Sequence, residues 1–149
     1  MSENSIALST QFKIAMKDYD DVVFHSCEGL QSEIEVVYLP EGGRAGAARA
    51  VRGAPRGGKI AFANGDVMKK GSKQSLLDWY LETCDLSKPL KRQMLTIQLL
   101  NSEGQEVRTW QVLEAWPCRW QGPALSRDSQ GLTVEYVEFA HEGITAKGK

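Results

Sequence analysis

The sequence predicts a mainly β domain with one α-helix, its strands antiparallel and closed into a barrel or sandwiched. Three observations carry this. Apolar and polar residues alternate in about six or seven short runs, the period of a half-buried strand. Only one segment repeats apolar residues at helical spacing. Gly, Pro, Asn and Asp clusters separate the runs at hairpin distances, and so many strands leave edges that closure or sandwiching would satisfy.

Taken in order, Phe12, Ile14 and Met16 alternate with Lys13, Ala15 and Lys17, and Asp18 to Asp21 supplies a turn. Val22 to Phe24 resumes an extended pattern, so a hairpin is expected, and Gly29 breaks it. From Gln31 to Leu39, Ile34, Val36 and Tyr38 alternate with Glu33, Glu35 and Val37, the clearest strand of the first half. Ile60 to Asn64 reads as another strand. A helix then starts from Ser72 as N-cap, with Leu76, Leu77, Tyr80, Leu81 and Cys84 on one face and Trp79 near its edge. Pro89 ends it. Met94 to Leu100 and Val107 to Ala115 form a hairpin across Asn101 to Gly104, Trp116 to Pro123 makes a corner, and Leu132 to Ala140 is the last strand.

At 149 residues the chain suits a single domain over 1–149, large enough to bury a core. Hydrophobic residues at 42% and charged residues at 25% are those of an ordinary globular protein. A formal charge of −1 gives no global attraction to nucleic acid or anionic membrane. No apolar run reaches the roughly 18 residues of a membrane span, and the N-terminus lacks the build of a signal peptide, so synthesis and assembly in the cytoplasm are expected. Cys27, Cys84 and Cys118 are odd in number and widely spaced, which reads as buried thiols rather than a disulfide framework.

Between Pro40 and Lys59 the composition changes to PEGGRAGAARAVRGAPRGGK. Arg44, Arg49, Arg52, Arg56 and Lys59 against Glu41 give a local formal charge of about +4. A loop of this length is functional or mobile when it occurs inside a domain, so an extended arm at about 41–58 that orders only on contact is expected. No aromatic stacking platform interrupts it, which argues against nucleic acid, and its cations suit carboxylates on another copy of the chain. Contacts of that kind are partly exposed, and salt would weaken them.

Catalytic signals fail on context. Gly53 to Lys59 copies the Gly, four-residue gap, Gly-Lys skeleton of a phosphate loop, but Ile60 stands where Ser or Thr should hold Mg²⁺ and a strand follows instead of a helix. His25 with Cys27 and His141 with Glu142 are isolated pairs without the spacing of a metal site. No nucleophile elbow is present. Neither an enzyme, a cofactor nor a metal is expected.

One ordered set of motifs says more. Cys27-Glu28-Gly29-Leu30 and Glu33-Ile34-Glu35-Val36 are followed by Glu41-Gly42-Gly43 and Leu77-Asp78-Trp79-Tyr80. Ala115-Trp116-Pro117 then precedes Trp120, Gly122 and Pro123, and Ala140-His141-Glu142-Gly143 closes the series. In this order, from Phe12 to Gly143, the chain resembles the phage tail tube protein family, the inner-tube subunits of contractile phage tails and phage-tail-like injection systems. The arm is longer and richer in Arg and Ala than the family pattern, and Asn64-Gly65-Asp66 replaces a more basic strand end.

The resemblance implies a barrel of two antiparallel sheets with the helix outside, six subunits per ring, and rings stacked into a hollow tube within a contractile sheath. Its partners would be further copies of itself, the sheath protein, a baseplate or hub, tube-terminating proteins and cargo in the lumen, without membrane insertion by the subunit. The mature location would be a phage tail or tail-like particle. Contacts between subunits or rings would fall on Glu41, Arg44, Arg49, Arg52, Arg56 and Lys59. Gly29, Trp79, Trp110, Trp116, Pro117, Trp120, Gly122, Pro123, His141 and Gly143 would define the fold, with His141 anchoring the closing turn. The alternatives are a baseplate-proximal tube initiator of the same fold and a nucleic-acid-binding module that uses the arm.

Overall fold

The structure, a computed structural model, describes residues 11–40, 48–66, 74–122 and 136–146. The described elements are β1 (Gln11–Ala15), β2 (Val22–Glu28), β3 (Glu33–Pro40), β4 (Ala48–Arg56), β5 (Gly58–Asp66), α1 (Leu76–Cys84), β6 (Gln93–Leu100), β7 (Glu106–Gln121), β8 (Tyr136–His141) and β9 (Gly143–Ala146). Strands β6, β1, β2, β5, β8 and β7 are neighbours in that order, and β7 pairs back onto β6. The sheet therefore closes, antiparallel throughout, and loses its lateral edges. β3 and β4 form a separate two-stranded sheet.

Closure depends on the length of β7. Its first half pairs with β6, from Leu100↔Glu106 to Gln93↔Ala115, and its second half pairs with β8, from Trp116↔Ala140 to Gln121↔Tyr136. Between the halves, Glu114 takes a positive φ of 50° and the register slips between Gln93 and Leu95. A bulge of this kind bends a strand and increases its twist. The corner expected at Trp116 to Pro123 is thus a continuing strand as far as Gln121, with the bend earlier, at Glu114. Pro117 is tolerated inside it beside a second register slip, between Pro117 and Arg119, where ladder bonds are interrupted. Pro123 and residues 132–135 of the last expected strand lie outside the described residues.

The barrel interior is filled from every wall. Ile14, Phe24, Ile60, Phe62, Leu95, Ile97, Val112, Val137 and Phe139 are buried, which is the inward half of the alternation seen in the sequence. Trp110, Trp116 and Trp120 are half-buried against this cluster. Gly29 has φ +85°, and a Cβ there would stand 2.5 Å from the Lys59 carbonyl oxygen; both facts require glycine where β2 ends.

The helix is placed by Trp79. Ser75, not Ser72, caps it. The Asp78 amide donates to Ser75 Oγ at 3.3 Å and the Ser75 amide donates to Asp78 Oδ2 at 3.0 Å, a reciprocal capping box. Trp79 stacks on Tyr19 with centroids 4.8 Å apart and lies 5.6 Å from the Phe139 ring. Its Nε1 donates to the Lys91 carbonyl at 3.1 Å. The buried face is centred on Leu76 and Trp79, whereas Leu81 and Cys84 are exposed. The face differs from the one leucine spacing predicts because Trp79 is the side chain large enough to reach the core.

Truncating that side chain removes stacking, area and a hydrogen bond together. Trp79→Ala is expected to cost about 3–5 kcal/mol of unfolding free energy, read from urea denaturation of the purified subunit; a loss under about 1 kcal/mol contradicts this role for the helix.

Candidate assembly surface

The segment expected to be an unstructured arm is a β-hairpin over its described part. β4 pairs antiparallel with β3, from Glu33↔Arg56 to Pro40↔Ala48, while residues 41–47, with Glu41 and Arg44, lie outside the described residues. Glycine and alanine do not favour strands by propensity; here the β-rich partner EIEVVYLP supplies the pairing. The register slips between Ile34 and Val36, so that Glu35 opposes Gly53 and Ala54. A Cβ on Gly53 would stand 2.6 Å from Glu35 Oε1, and the missing side chain leaves room for that carboxylate.

Alternation gives the hairpin two unlike faces. One carries Glu33, Glu35, Val37 and Leu39 with Arg56, Val51 and Arg49. On it Arg56 pairs with Glu33 and with Glu35, each at 3.7 Å. The other carries Ile34, Val36 and Tyr38 with Pro55, Arg52, Ala50 and Ala48, all of them exposed. The three large side chains are 50%, 56% and 67% exposed. An apolar strand face this open marks an interaction surface more often than chance, and a two-stranded hairpin is marginal in water by itself.

The basic residues named from sequence are therefore divided. Arg56 is engaged by carboxylates of its own hairpin. Arg52 and Lys59 are exposed, Arg52 on the apolar face across from Val36; Arg49 is exposed on the opposite face across from Leu39 and is itself engaged within the subunit. Alternation alone predicts Ile34, Val36 and Tyr38 as an ordinary half-buried strand face, whereas all three are exposed. A signal for their exposure was present. Their hairpin partner offers Ala, Arg, Gly and Pro with Val51 as its one large apolar residue, and such a strand cannot line a core.

The remaining candidates do not converge. Among the described residues no group of three or more His, Cys, Asp or Glu could hold a metal ion. Gly53 to Lys59 runs from β4 into β5, with no helix N-terminus for a phosphate. Burial pushes the Cys27 thiol up to about 11, which leaves it protonated and unreactive, while Cys84 is exposed, contrary to the expectation of buried thiols. Beside the helix, Lys91 bonds Asp18 at 3.2 Å, lowering that carboxyl, and lies 5.0 Å from the centre of the Tyr19 ring; this cluster pins α1 to the barrel. Gly122 sits under Trp120, its Cβ position 2.9 Å from the indole, and Gly143 has φ +158° in open space. No helix among the described residues is long and apolar enough to cross a membrane.

The fold defined so far is a closed antiparallel barrel with one external helix and a separate two-stranded hairpin. Residues 8–145 match the T4-like virus tail tube protein gp19 family, and the chain belongs to it. No curated protein sequence matches. Among solved structures, the chain is similar to one from the sheath-tube complex of the extracellular contractile injection system PVC in its extended state. There the identity is 21%, the TM-score 0.67, and 98% of this chain and 99% of that one are covered. A chain of the anti-feeding prophage tube-terminating cap aligns at 21% identity and TM-score 0.66 over 90% and 85%. Hcp1 from Flavobacterium johnsoniae aligns at 12% and 0.56 over 93% and 96%. Each likeness is one of fold.

Since Val36 and Tyr38 are exposed and belong to no buried cluster among the described residues, Val36→Ser and Tyr38→Ser should each leave urea unfolding of the subunit within about 0.5 kcal/mol of wild type. A loss beyond about 1.5 kcal/mol would place the stripe in the fold of the subunit.

Proposed function

We propose that the protein is the inner-tube subunit of a contractile phage tail or phage-tail-like particle. Six copies form a ring, rings stack into a hollow tube, and sheath contraction drives the tube through a target envelope. Its work is mechanical, with no bond-making step and no cofactor. The observation that carries this reading is the match of residues 8–145 to a tail tube family. The near-complete mutual coverage with a chain from a sheath-tube complex supports it. Partners follow from the same reading: sheath protein outside, baseplate and terminator at the ends, cargo within.

A single capping or initiating ring is the second reading, favoured by the similar TM-score to a tube-terminating cap. Growth distinguishes them. A tube subunit elongates without limit, whereas a cap stops at one ring.

The β3–β4 hairpin is the contact we assign to assembly. Its stripe of Ile34, Val36 and Tyr38 seats on a neighbouring copy, and Arg49, Arg52 and Lys59 orient the contact toward carboxylates. Burial of apolar area supplies the affinity at roughly 25 cal/mol per Å², while exposed ion pairs contribute little and are screened.

Negative-stain microscopy of concentrated protein is expected to show sixfold rings and hollow tubes. The combined change Ile34→Ser, Val36→Ser, Tyr38→Ser should leave folded subunits that form no tubes; persistent monomers in the wild type would overturn the tube reading, and tubes in the triple variant would remove the stripe from it. Raising NaCl from 0.1 to about 1 M should leave preformed tubes intact or lengthen them, as apolar contacts do in salt. Dissolution would return the contact to the arginines.

A further inference from the structure

The hairpin joins the barrel by two short stems, and both rest on the same place. On one side β2 leads through Gly29, whose Cβ position lies 2.5 Å from the Lys59 carbonyl oxygen. The Gln31 amide donates back to the Gly29 carbonyl at 2.8 Å. On the other side β4 ends at Arg56 and β5 begins at Gly58, so Gly57 alone is the joint. A Cβ on Gly57 would fall 2.1 Å from the His141 carbonyl oxygen and 2.9 Å from Glu142 Cα, which means the joint lies directly on the backbone at the end of β8. Gly58↔His141 is the last pair of the β5–β8 ladder.

Beyond that pair the two strands part. β8 and β9 run as one line along β7, from Gln121↔Tyr136 to Trp110↔Ala146, and their register with β7 lapses at His141 and Glu142, the Glu142 amide donating to the Leu113 carbonyl at 2.9 Å. β5 accompanies the β8 part alone. His141 thus stands at the fork where barrel, arm and β9 separate.

Its side chain is unusual for such a place. His141 is 8% exposed, and neither Nδ1 nor Nε2 has a hydrogen-bond partner among the described residues. Nε2 lies 3.9 Å from the Cβ position of Gly58. A buried neutral imidazole is tolerable there, but an imidazolium, with two N–H groups and a full charge, is not.

We propose that His141 is an acid-operated latch on the hinge of the β3–β4 arm: neutral, it holds the Gly57–Gly58 joint against the end of β8; charged, it seeks water, opens that end of the ladder and frees the arm. This rests on the tube reading only for its consequence, which is that acid alters the pose of the surface that meets the next copy.

The charged and titratable groups nearest His141 in sequence or register are Lys59 of β5, Glu138 of β8, Glu142 of the turn, Glu114 and Cys118 of β7, and Arg56 at the end of β4. Glu142 is held by Arg92 at 3.8 Å and Arg56 by Glu33 and Glu35. Burial is what lowers the His141 pKa, with no neighbouring carboxylate opposing it. A released ring titrates near pH 6.5. The closed latch is therefore at full strength above that value and weakens as pH falls through the lower, latched one.

The test uses the full chain as a dilute monomer, so that it does not depend on tubes. Hydrogen exchange of peptides spanning 56–60 and 139–143, corrected for the intrinsic rate, is expected to speed up several-fold from pH 7.5 to 5, because protonation favours the released ring. The sequence contains two histidines, His25 and His141, which makes attribution direct. His25→Gln should keep the acid response and His141→Gln should abolish it. NMR titration of the wild-type ring is a second readout that does not depend on the folding of His141→Gln, with His141 expected to titrate below 6.5. Unchanged exchange across this range, a His141 pKa at or above 6.5, or an acid response surviving in folded His141→Gln would each overturn the latch. Tubes failing to form while the monomer responds as described would overturn the tube reading and leave the latch standing.

Discussion

Closure of the sheet through one long strand is the constraint on which the rest of the structure depends. β7 holds β6 with its first half and β8 with its second, and without that double pairing the remaining strands would be an open, strongly twisted sheet with two raw edges. The bulge at Glu114 is what lets a single strand serve both walls. Everything apolar in the barrel follows from it, because only a closed sheet gives Phe24, Phe62, Val112 and Phe139 a common interior. The helix adds Trp79 to that interior and carries no part of the closure.

With closure complete, the barrel has little left to offer a partner, and the hairpin has almost nothing else to do. Its two strands share a register with each other and with no other strand, and its large side chains point away from any core. The barrel core and the exposed stripe are therefore separated along the chain: one set of residues fills the interior, and Ile34, Val36 and Tyr38 stand outside it. Substitutions at the two sets do not share contacts, which is the condition under which their effects add.

Much of the barrel was legible in the sequence because alternation is a local signal. Phe12, Ile14 and Met16, and later Ile60 and Phe62, announce an inward face whatever the partner strand is. The hairpin at Asn101 to Gly104 was equally plain from its turn residues. What could not be read locally was anything that depends on pairing. The strand Ala48–Arg56 has no strand propensity and exists because β3 lies beside it; the bend at Glu114 has no glycine to mark it; and the helix face was misjudged because Tyr19, on which Trp79 stacks, is remote in sequence. The assembly surface suffered the same way. Charge made the arginines conspicuous, whereas the exposure of Ile34, Val36 and Tyr38 is a property of what is missing opposite them.

The narrowness of β4 has a consequence for the protein before it assembles. A strand of Ala, Gly, Arg and Pro cannot shield its partner, so each newly folded subunit displays an uncovered apolar ribbon with unpaired backbone along its margins, the feature that elsewhere leads to disordered sticking. Here the ribbon is short, interrupted by a register slip, and carries Arg52 across from Val36, a charge that two ribbons lying face to face would bring against its like. Arg52 thus acts as a gatekeeper. It leaves the ribbon open to a surface of different character while making its own mirror image a poor companion.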